Sequence, residues 1–167
     1  MVTRRTQVLV LALLAGAALF LAHRYWPNEE RRVRRQVDRL AACFSKASGE
    51  SAAMMALNLH GFEQLLGDDV EVDVLNFAGN GSYSAREISS TVARVRAGCR
   101  SISLVCRDVS VRFETPETAA ATFTARLAVV DADGRLNEDM REITCTLTKM
   151  PGGWRFVRFS ESSVLER

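Results

Sequence analysis

Fifteen consecutive residues, Val8 to Ala22, read VLVLALLAGAALFLA and carry no polar side chain. No other stretch constrains the chain so severely, because a run this apolar has to leave water. As a helix it covers about 22 Å at about 1.5 Å per residue, short of a hydrocarbon core of about 30 Å. Its flanks supply the rest. Thr6 and Gln7 are tolerable at an edge, Tyr25 and Trp26 suit the membrane interface, and Arg24 can snorkel. Residues 8–22 are therefore read as a single-pass N-terminal anchor, with residues 1–27 forming the anchor region. A cleaved signal peptide is the rival reading. Arg4 and Arg5 make a basic n-region, and Ala15-Gly16-Ala17 fits the small-x-small cleavage pattern. Cleavage there would expose Ala18-Leu19-Phe20-Leu21 as a new apolar terminus, which favours the uncleaved form. A short isolated core helix is the third reading. No cysteine lies nearby, which excludes lipoprotein processing.

Sidedness stays open. Arg4 and Arg5 precede the segment, while Arg24, Arg31, Arg32, Arg34, Arg35 and Arg39 come after it. The positive-inside rule taken literally keeps the domain behind the anchor in the cytoplasm. Most of those arginines, however, lie beyond Pro27 on a helix that also carries Glu29, Glu30 and Asp38. A short bacterial anchor of this kind exports the domain behind it, so the domain is placed on the periplasmic or extracellular side. The same interruption by acids, the absence of interleaved aromatics and a formal charge of only +2 exclude nucleic acid as a partner.

Residues 28–167 read as one α+β domain. Val33, Val37, Leu40 and Phe44 recur at helical spacing and predict a helix over 29–47, capped by Asn28 and broken by Ser48-Gly49. A second helix is predicted over 50–66 with a seam of Met55, Leu59, Phe62 and Leu66, the Met54–Met55 pair filling core gaps and Gly67 ending it. Val70, Val72 and Val74 then alternate with Glu71 and Asp73 as a strand. Asn80-Gly81 predicts a hairpin from 70–76 into a short strand at 82–84. Asn80-Gly81-Ser82 also fits a glycosylation sequon, but the turn accounts for it. Ser84 caps a third helix over 85–97, with Glu87 completing a capping box. Four strands close the chain, at 102–113, 118–130, 140–149 and 154–164. Short turns join them, as in an antiparallel meander.

This order of elements resembles the nuclear transport factor 2-like superfamily, which includes SnoaL-like polyketide cyclases and ketosteroid isomerases. The pieces that carry the resemblance are Leu65-Leu66-Gly67-Asp68-Asp69-Val70-Glu71-Val72, then Gly81-Ser82-Tyr83-Ser84-Ala85-Arg86-Glu87-Ile88, and last Gly153-Trp154-Arg155-Phe156 with Val164-Leu165-Glu166. It covers nearly all of 29–166. It implies a curved antiparallel sheet wrapped around the N-terminal helices, forming a cone with a pocket at its open end. It also implies pairing of two copies through the open face of the sheet. In architecture, the anchor-plus-domain layout further resembles single-pass assembly components of bacterial type IV secretion systems.

The resemblance leaves function open, since its members include enzymes and binding-only proteins. The isomerases resembled place an aspartate base just after the acidic pair behind the second helix. Matching Asp68-Asp69 puts Val74 there and Asp73 one residue early, which turns Asp73 to the opposite face of the strand. The candidate ligand-binding residues are His60, Asp73, Tyr83 and Arg126. Each has a plainer reading. His60 stands beside the seam of the second helix with no metal or triad spacing around it, and Tyr83 flanks a turn. Arg126, Arg141 and Arg158 could together hold an anion, but acids such as Glu138, Glu142 and Asp108 are available to pair with them on the outer sheet face. No metal set and no cofactor motif is present; Cys43, Cys99, Cys106 and Cys145 contain no C-x-x-C. Cys145 and Cys43 read as buried thiols, and a Cys43–Cys99 disulfide is the first pairing to expect if the domain is exported.

The functional expectation is a membrane-tethered, non-catalytic module that binds a protein partner or a small apolar ligand. The alternative is a SnoaL-like enzyme, isomerase or dehydratase in type, acting on a small hydrophobic molecule. Convergence of two or more of His60, Asp73, Tyr83 and Arg126 in an apolar pocket would favour the enzyme, whereas a pocket filled by Phe62, Trp154 and Phe156 would weaken ligand binding and leave interaction alone.

Overall fold

A computed structural model of the chain describes residues 28–74 and 80–161. The anchor segment 8–22 lies outside that range, and among the described residues no helix is long and apolar enough to cross a membrane. The chain divides into two units, Met1–Arg32 and Val33–Arg167. In the first, the described residues open a helix in which Arg32 pairs with Glu29 at 2.8 Å. The second is an α+β domain with a curved mixed sheet.

Helix α1 covers 28–44, and Val33, Val37 and Leu40 are buried along one face as their spacing predicts. It stops short of 47 because the next residues bond elsewhere. The Ser45 hydroxyl donates back to Ala41 O at 2.8 Å, and Lys46 exchanges backbone bonds of 2.7 and 2.9 Å with Ile102. Helix α2 spans Ala52–Leu65, with the Ser51 hydroxyl accepting from Met54 N at 3.2 Å. Its expected seam is buried only at its C-terminal end, at Phe62 and Leu65. Met54 and Leu57 stand exposed, so the Met pair is not the core filler expected of it.

Strand β1 (Leu66–Asp73) continues from α2 without a break. Gly67 therefore adopts no left-handed cap. Its role is steric: a Cβ there would stand 3.0 Å from Val157 Cγ1. β1 pairs antiparallel with β2 (Gly81–Ser84), which confirms the hairpin. Gly81 already pairs with Val72, however, so Asn80-Gly81 ends a longer connection instead of forming a two-residue turn. Helix α3 (Ala85–Gly98) starts with the expected box. Glu87 N donates to the Ser84 hydroxyl at 3.3 Å, and Ser84 N donates to the Glu87 carboxylate at 2.8 Å. This bond and the one from the Ser84 hydroxyl hold Glu87 below its ordinary pKa.

Strands β3 (Cys99–Thr115), β4 (Thr118–Asp131), β5 (Leu136–Met150) and β6 (Gly153–Glu161) form the antiparallel meander. The whole sheet is not antiparallel. Its order is β2-β1-β6-β5-β4-β3, and β1 lies parallel to β6, with Val72 beside Phe159. The last strand thus enters between the first strand and the rest of the meander.

Two bulges decide which side chains face inward. On β3, Asp108 (φ +54°) and Val109 together oppose the single residue Phe123. The inward series Ile102, Leu104, Cys106 therefore continues as Val109, Val111, Phe113. On β6, Val157 is the extra residue between Phe156, paired with Leu147, and Arg158, paired with Thr146. Trp154 and Phe156 face inward before it and Phe159 after it, with Phe156 and Phe159 stacked at 5.3 Å. Trp154, Phe156, Leu147, Ala119 and Ala121 make the floor of the core. Gln36 of α1 donates to Trp154 O at 3.0 Å, and Arg34 donates to Val109 O.

Each helix ends on a cation from elsewhere in the chain, which offsets the partial negative charge of its last carbonyls. Arg96, fully buried, donates through Nη1 to Cys43 O, Phe44 O and Ser45 O at the end of α1 (2.8, 2.8 and 2.6 Å). Its Nη2 meets the buried Glu50 carboxylate at 2.6 and 2.7 Å. Reciprocally, Lys46 Nζ donates to Arg96 O and Cys99 O at the end of α3 (2.6 and 2.5 Å). Arg155 of β6 donates to Gln64 O at the end of α2 at 2.7 Å.

Candidate ligand-binding cavity

The inward side chains do not fill the space between sheet and helices at the end away from Trp154. A cavity of about 380 Å³ remains. Leu40 and Phe44 of α1, Phe62 of α2, and Ile88 and Val92 of α3 line one side. The sheet contributes Val72 and Val74 from β1 and just beyond it, Leu104 from β3, and Phe123, Ala125 and Leu127 from β4. Asp139, Arg141 and Ile143 of β5 and Phe159 of β6 complete the lining. Period-two alternation explains the choice on β4 and β5, where every lining residue is odd-numbered. Ala125 is the small member on β4, and its missing bulk is part of the hollow. Phe159 reaches the cavity because the Val157 bulge reverses the parity of β6.

Of the described residues that line the cavity, all but Asp139 and Arg141 are apolar. Arg141 Nε donates to Asp139 Oδ2 at 2.7 Å, and its Nη1 donates to both oxygens of Glu161 at 3.1 and 2.9 Å. These bonds, the one to Asp139 first, raise the pKa of Arg141 above its already high value. The Asp139 side chain is 52% exposed and that of Arg141 27%, so this cluster marks the wet end of an otherwise apolar hollow. The outer-face reading of Arg141 is thereby corrected. It stands across from Ala125 and two residues before Ile143, on the inner face. Arg126 and Arg158 are on the outer face, paired with Glu138 at 3.1 Å and Glu71 at 3.4 Å.

The four candidate residues lie on four different elements, and none of them lines the cavity. His60 is exposed on α2, its Nε2 2.9 Å from Gln64 Nε2. Asp73 ends β1 as an exposed residue between the cavity-lining Val72 and Val74, turned to the opposite face by alternation. Tyr83 is half-buried on β2 across from Val70 and packs against the core. Arg126 shares its ion pair with Glu138 on the side of β4 away from Ala125 and Leu127. Sequence reasoning misses Glu161 and favours the outer face for Arg141, although a signal for the inner face is present. Arg141 continues the odd-numbered series of Ile143, Cys145 and Leu147.

The four cysteines are free thiols, so Cys43 and Cys99 are not joined. Burial pushes the Cys145 thiol up to about 12 and the Cys106 thiol up to about 11, and it raises Cys43 as well. Thiols held neutral in this way are poor nucleophiles. Among the described residues no group of three or more His, Cys, Asp or Glu is placed to hold a metal ion.

No family model and no curated protein sequence matches the chain. Solved structures do. A nuclear transport factor 2-like protein with a cystatin-like fold from Novosphingobium aromaticivorans superposes with a TM-score of 0.65 at 15% identity, covering 89% of this chain and 90% of that one. The domain has the nuclear transport factor 2-like fold. A nuclear transport factor 2-like superfamily protein from Salmonella enterica serovar Typhimurium gives 0.66 at 14% identity over 84% of this chain and 98% of its own. A candidate dehydratase of the same family from Streptomyces avermitilis gives 0.63 at 17% identity over 84% and 99%. Identities this low speak to the fold alone.

Proposed function

We propose that this nuclear transport factor 2-like domain binds a small apolar molecule while tethered to a membrane by residues 8–22. The cavity carries the proposal. Its 380 Å³ falls in the range of about 300–1,000 Å³ typical of small-molecule sites, and its lining is apolar with polar groups gathered at one end. Phe62 is one wall of this space, while Trp154 and Phe156 lie in the core, so the pocket is open. The tether rests on the sequence of the segment. Pairing of two copies through the outer sheet face is part of the same proposal. That face offers the cross-strand hydroxyl row Ser110, Thr122, Thr144 and Ser160, which ends on β1 at Asp73.

Binding is favoured over turnover by the composition of the lining. Among the described residues Asp139 is its one carboxylate, and it is engaged by Arg141, which does not give up its proton. A second reading, an enzyme of dehydratase or isomerase type, is supported by the candidate dehydratase among the similar folds. In that reading Asp139 is the acid–base group. Titration calorimetry of the purified full chain with small naphthalenes tests the leading reading, using Ala125→Trp as the blank. Saturable heat in the native chain that vanishes when the indole fills the cavity supports it. Equal heats in both chains would overturn it. Conversion of a bound molecule that depends on Asp139 would move the assignment to the enzyme.

A further inference from the structure

We infer that the body of the ligand lies over Ala125, and that this residue sets how large a molecule the cavity accepts; this rests on the ligand-binding reading above. Three alanines of β4 face the interior, Ala119, Ala121 and Ala125. An inward alanine leaves room, and the first two have theirs filled by neighbours in the same row of the sheet. Ala119 stands between Phe113 and Leu147, with Phe156 next in line. Ala121 stands between Val111 and Cys145, with Phe159 next. Both alanines are fully buried, as are Leu147, Cys145 and Phe156.

The row of Ala125 is built differently. It runs from Cys106 through Ala125 to Arg141. The thiol is small, and the guanidinium is bonded to Asp139 and Glu161. β6 ends at Glu161, beside Ile143, so no described residue of β6 extends the row past Arg141. Along β4, Phe123 and Leu127 stand two residues away on either side, and both line the cavity. Ala125 is therefore a notch one side chain wide between two large ones, and it is the smallest side chain among the described lining residues. Bulk added at this notch takes space directly from the ligand. Leucine adds three carbons to alanine, close to the four that one fused ring adds to an aromatic body. A misfit of a single methylene in an apolar pocket is worth about tenfold or more, so leucine at this position moves the preferred ligand down by one ring.

The test titrates phenylmethanol, 2-naphthylmethanol and 2-anthrylmethanol calorimetrically into the purified full chain and into its Ala125→Val and Ala125→Leu variants. The native chain is expected to bind the two-ring or the three-ring alcohol tightest. In Ala125→Leu the tightest binder is expected to be one ring smaller, with the native favourite weakened about tenfold or more relative to it. Ala125→Val should shift the same ratio in the same direction by less. Near-ultraviolet circular dichroism checks that each variant keeps its fold; if the leucine variant does not, the valine variant decides alone. A ratio that does not move, or a native preference for the single ring, overturns the inference and leaves the cavity reading intact. Failure of all three alcohols to bind the native chain overturns the cavity reading itself, and this inference with it.

Discussion

Replacing Arg96 with methionine would remove one side chain from five polar contacts at once. Three are to the carbonyls of Cys43, Phe44 and Ser45, and two are to the Glu50 carboxylate. The Glu50 side chain is 4% exposed, and without Arg96 it keeps the bond from Asn58 Nδ2 at 2.7 Å. Removing one member of a buried ion pair costs about 3–5 kcal/mol, because the other charge stays behind unpaired. The orphaned carbonyls at the α1 terminus add about 1 kcal/mol each where water cannot reach them. A loss of about 5 kcal/mol is therefore expected, comparable with the entire stability of many domains, about 5–15 kcal/mol. The double variant Arg96→Met, Glu50→Leu should recover most of it, since no charge is then stranded. Denaturant unfolding followed by far-ultraviolet circular dichroism measures all three chains. A single-variant loss below about 1 kcal/mol, or a double variant no better than Arg96→Met, would refute the reasoning.

Gly67→Ala should destabilise by about 1–3 kcal/mol, because its Cβ would stand 3.0 Å from Val157 Cγ1; adding Val157→Ala should restore most of the loss in the same unfolding assay. The raised thiols predict alkaline sensitivity. The unfolded chain ionises its cysteines from the ordinary value of 9.0, whereas Cys145 stays protonated to about 12 when folded, so stability is full below 9.0 and falls as pH rises through that window. Cys145→Ala should flatten the midpoint-against-pH curve there, at the cost of a smaller core; an unchanged slope would contradict the assignment. Lys46→Met should cost about 1–3 kcal/mol through the lost charged hydrogen bonds at the α3 terminus, and native-state hydrogen exchange should quicken in the last turn of α3 before it does elsewhere.

The parts of this fold that are readable in the sequence are those fixed by neighbours. Ser84 and Glu87 lie three residues apart, so the start of α3 is written in one turn of chain. The alternation of β4 and β5 likewise tells which residues share a face. Direction is a different matter. Nothing in Val70-Glu71-Val72 reveals that Val72 lies beside Phe159 in a parallel pair, because that partner comes from the far end of the chain. The two bulges leave a trace, a shift of the apolar series from even to odd numbers near Asp108, but a single slip in parity also fits a shorter strand. The cavity is the least legible element. The chemistry of their side chains singles out His60, Tyr83, Asp73 and Arg126, whereas the real wall is made by alternation and bulges acting on Leu, Val and Phe. For Arg141, nearby acids available for pairing suggest the outer face. Acids do pair with it, but on the inner face, where Asp139 and Glu161 share its strand parity and register.

The cation caps explain how such a hollow can be kept. None of the three helices among the described residues relies on a glycine in left-handed conformation to end it. α2 and α3 pass straight into strands at Leu66 and Cys99, and α1 ends beside Lys46, which bridges to β3. Their terminal carbonyls are instead satisfied by Arg96, Lys46 and Arg155, each from a distant part of the chain. The bonds of Arg96 and Lys46 tie the ends of α1 and α3 together beside the cavity-lining Phe44, and Arg155 ties the end of α2 to β6. The helix ends that border the hollow are therefore held by polar ties, and the side chains around Ala125 are free to leave space. A frame held by backbone register and polar ties constrains few cavity residues, and those few are the ones that set what the cavity accepts.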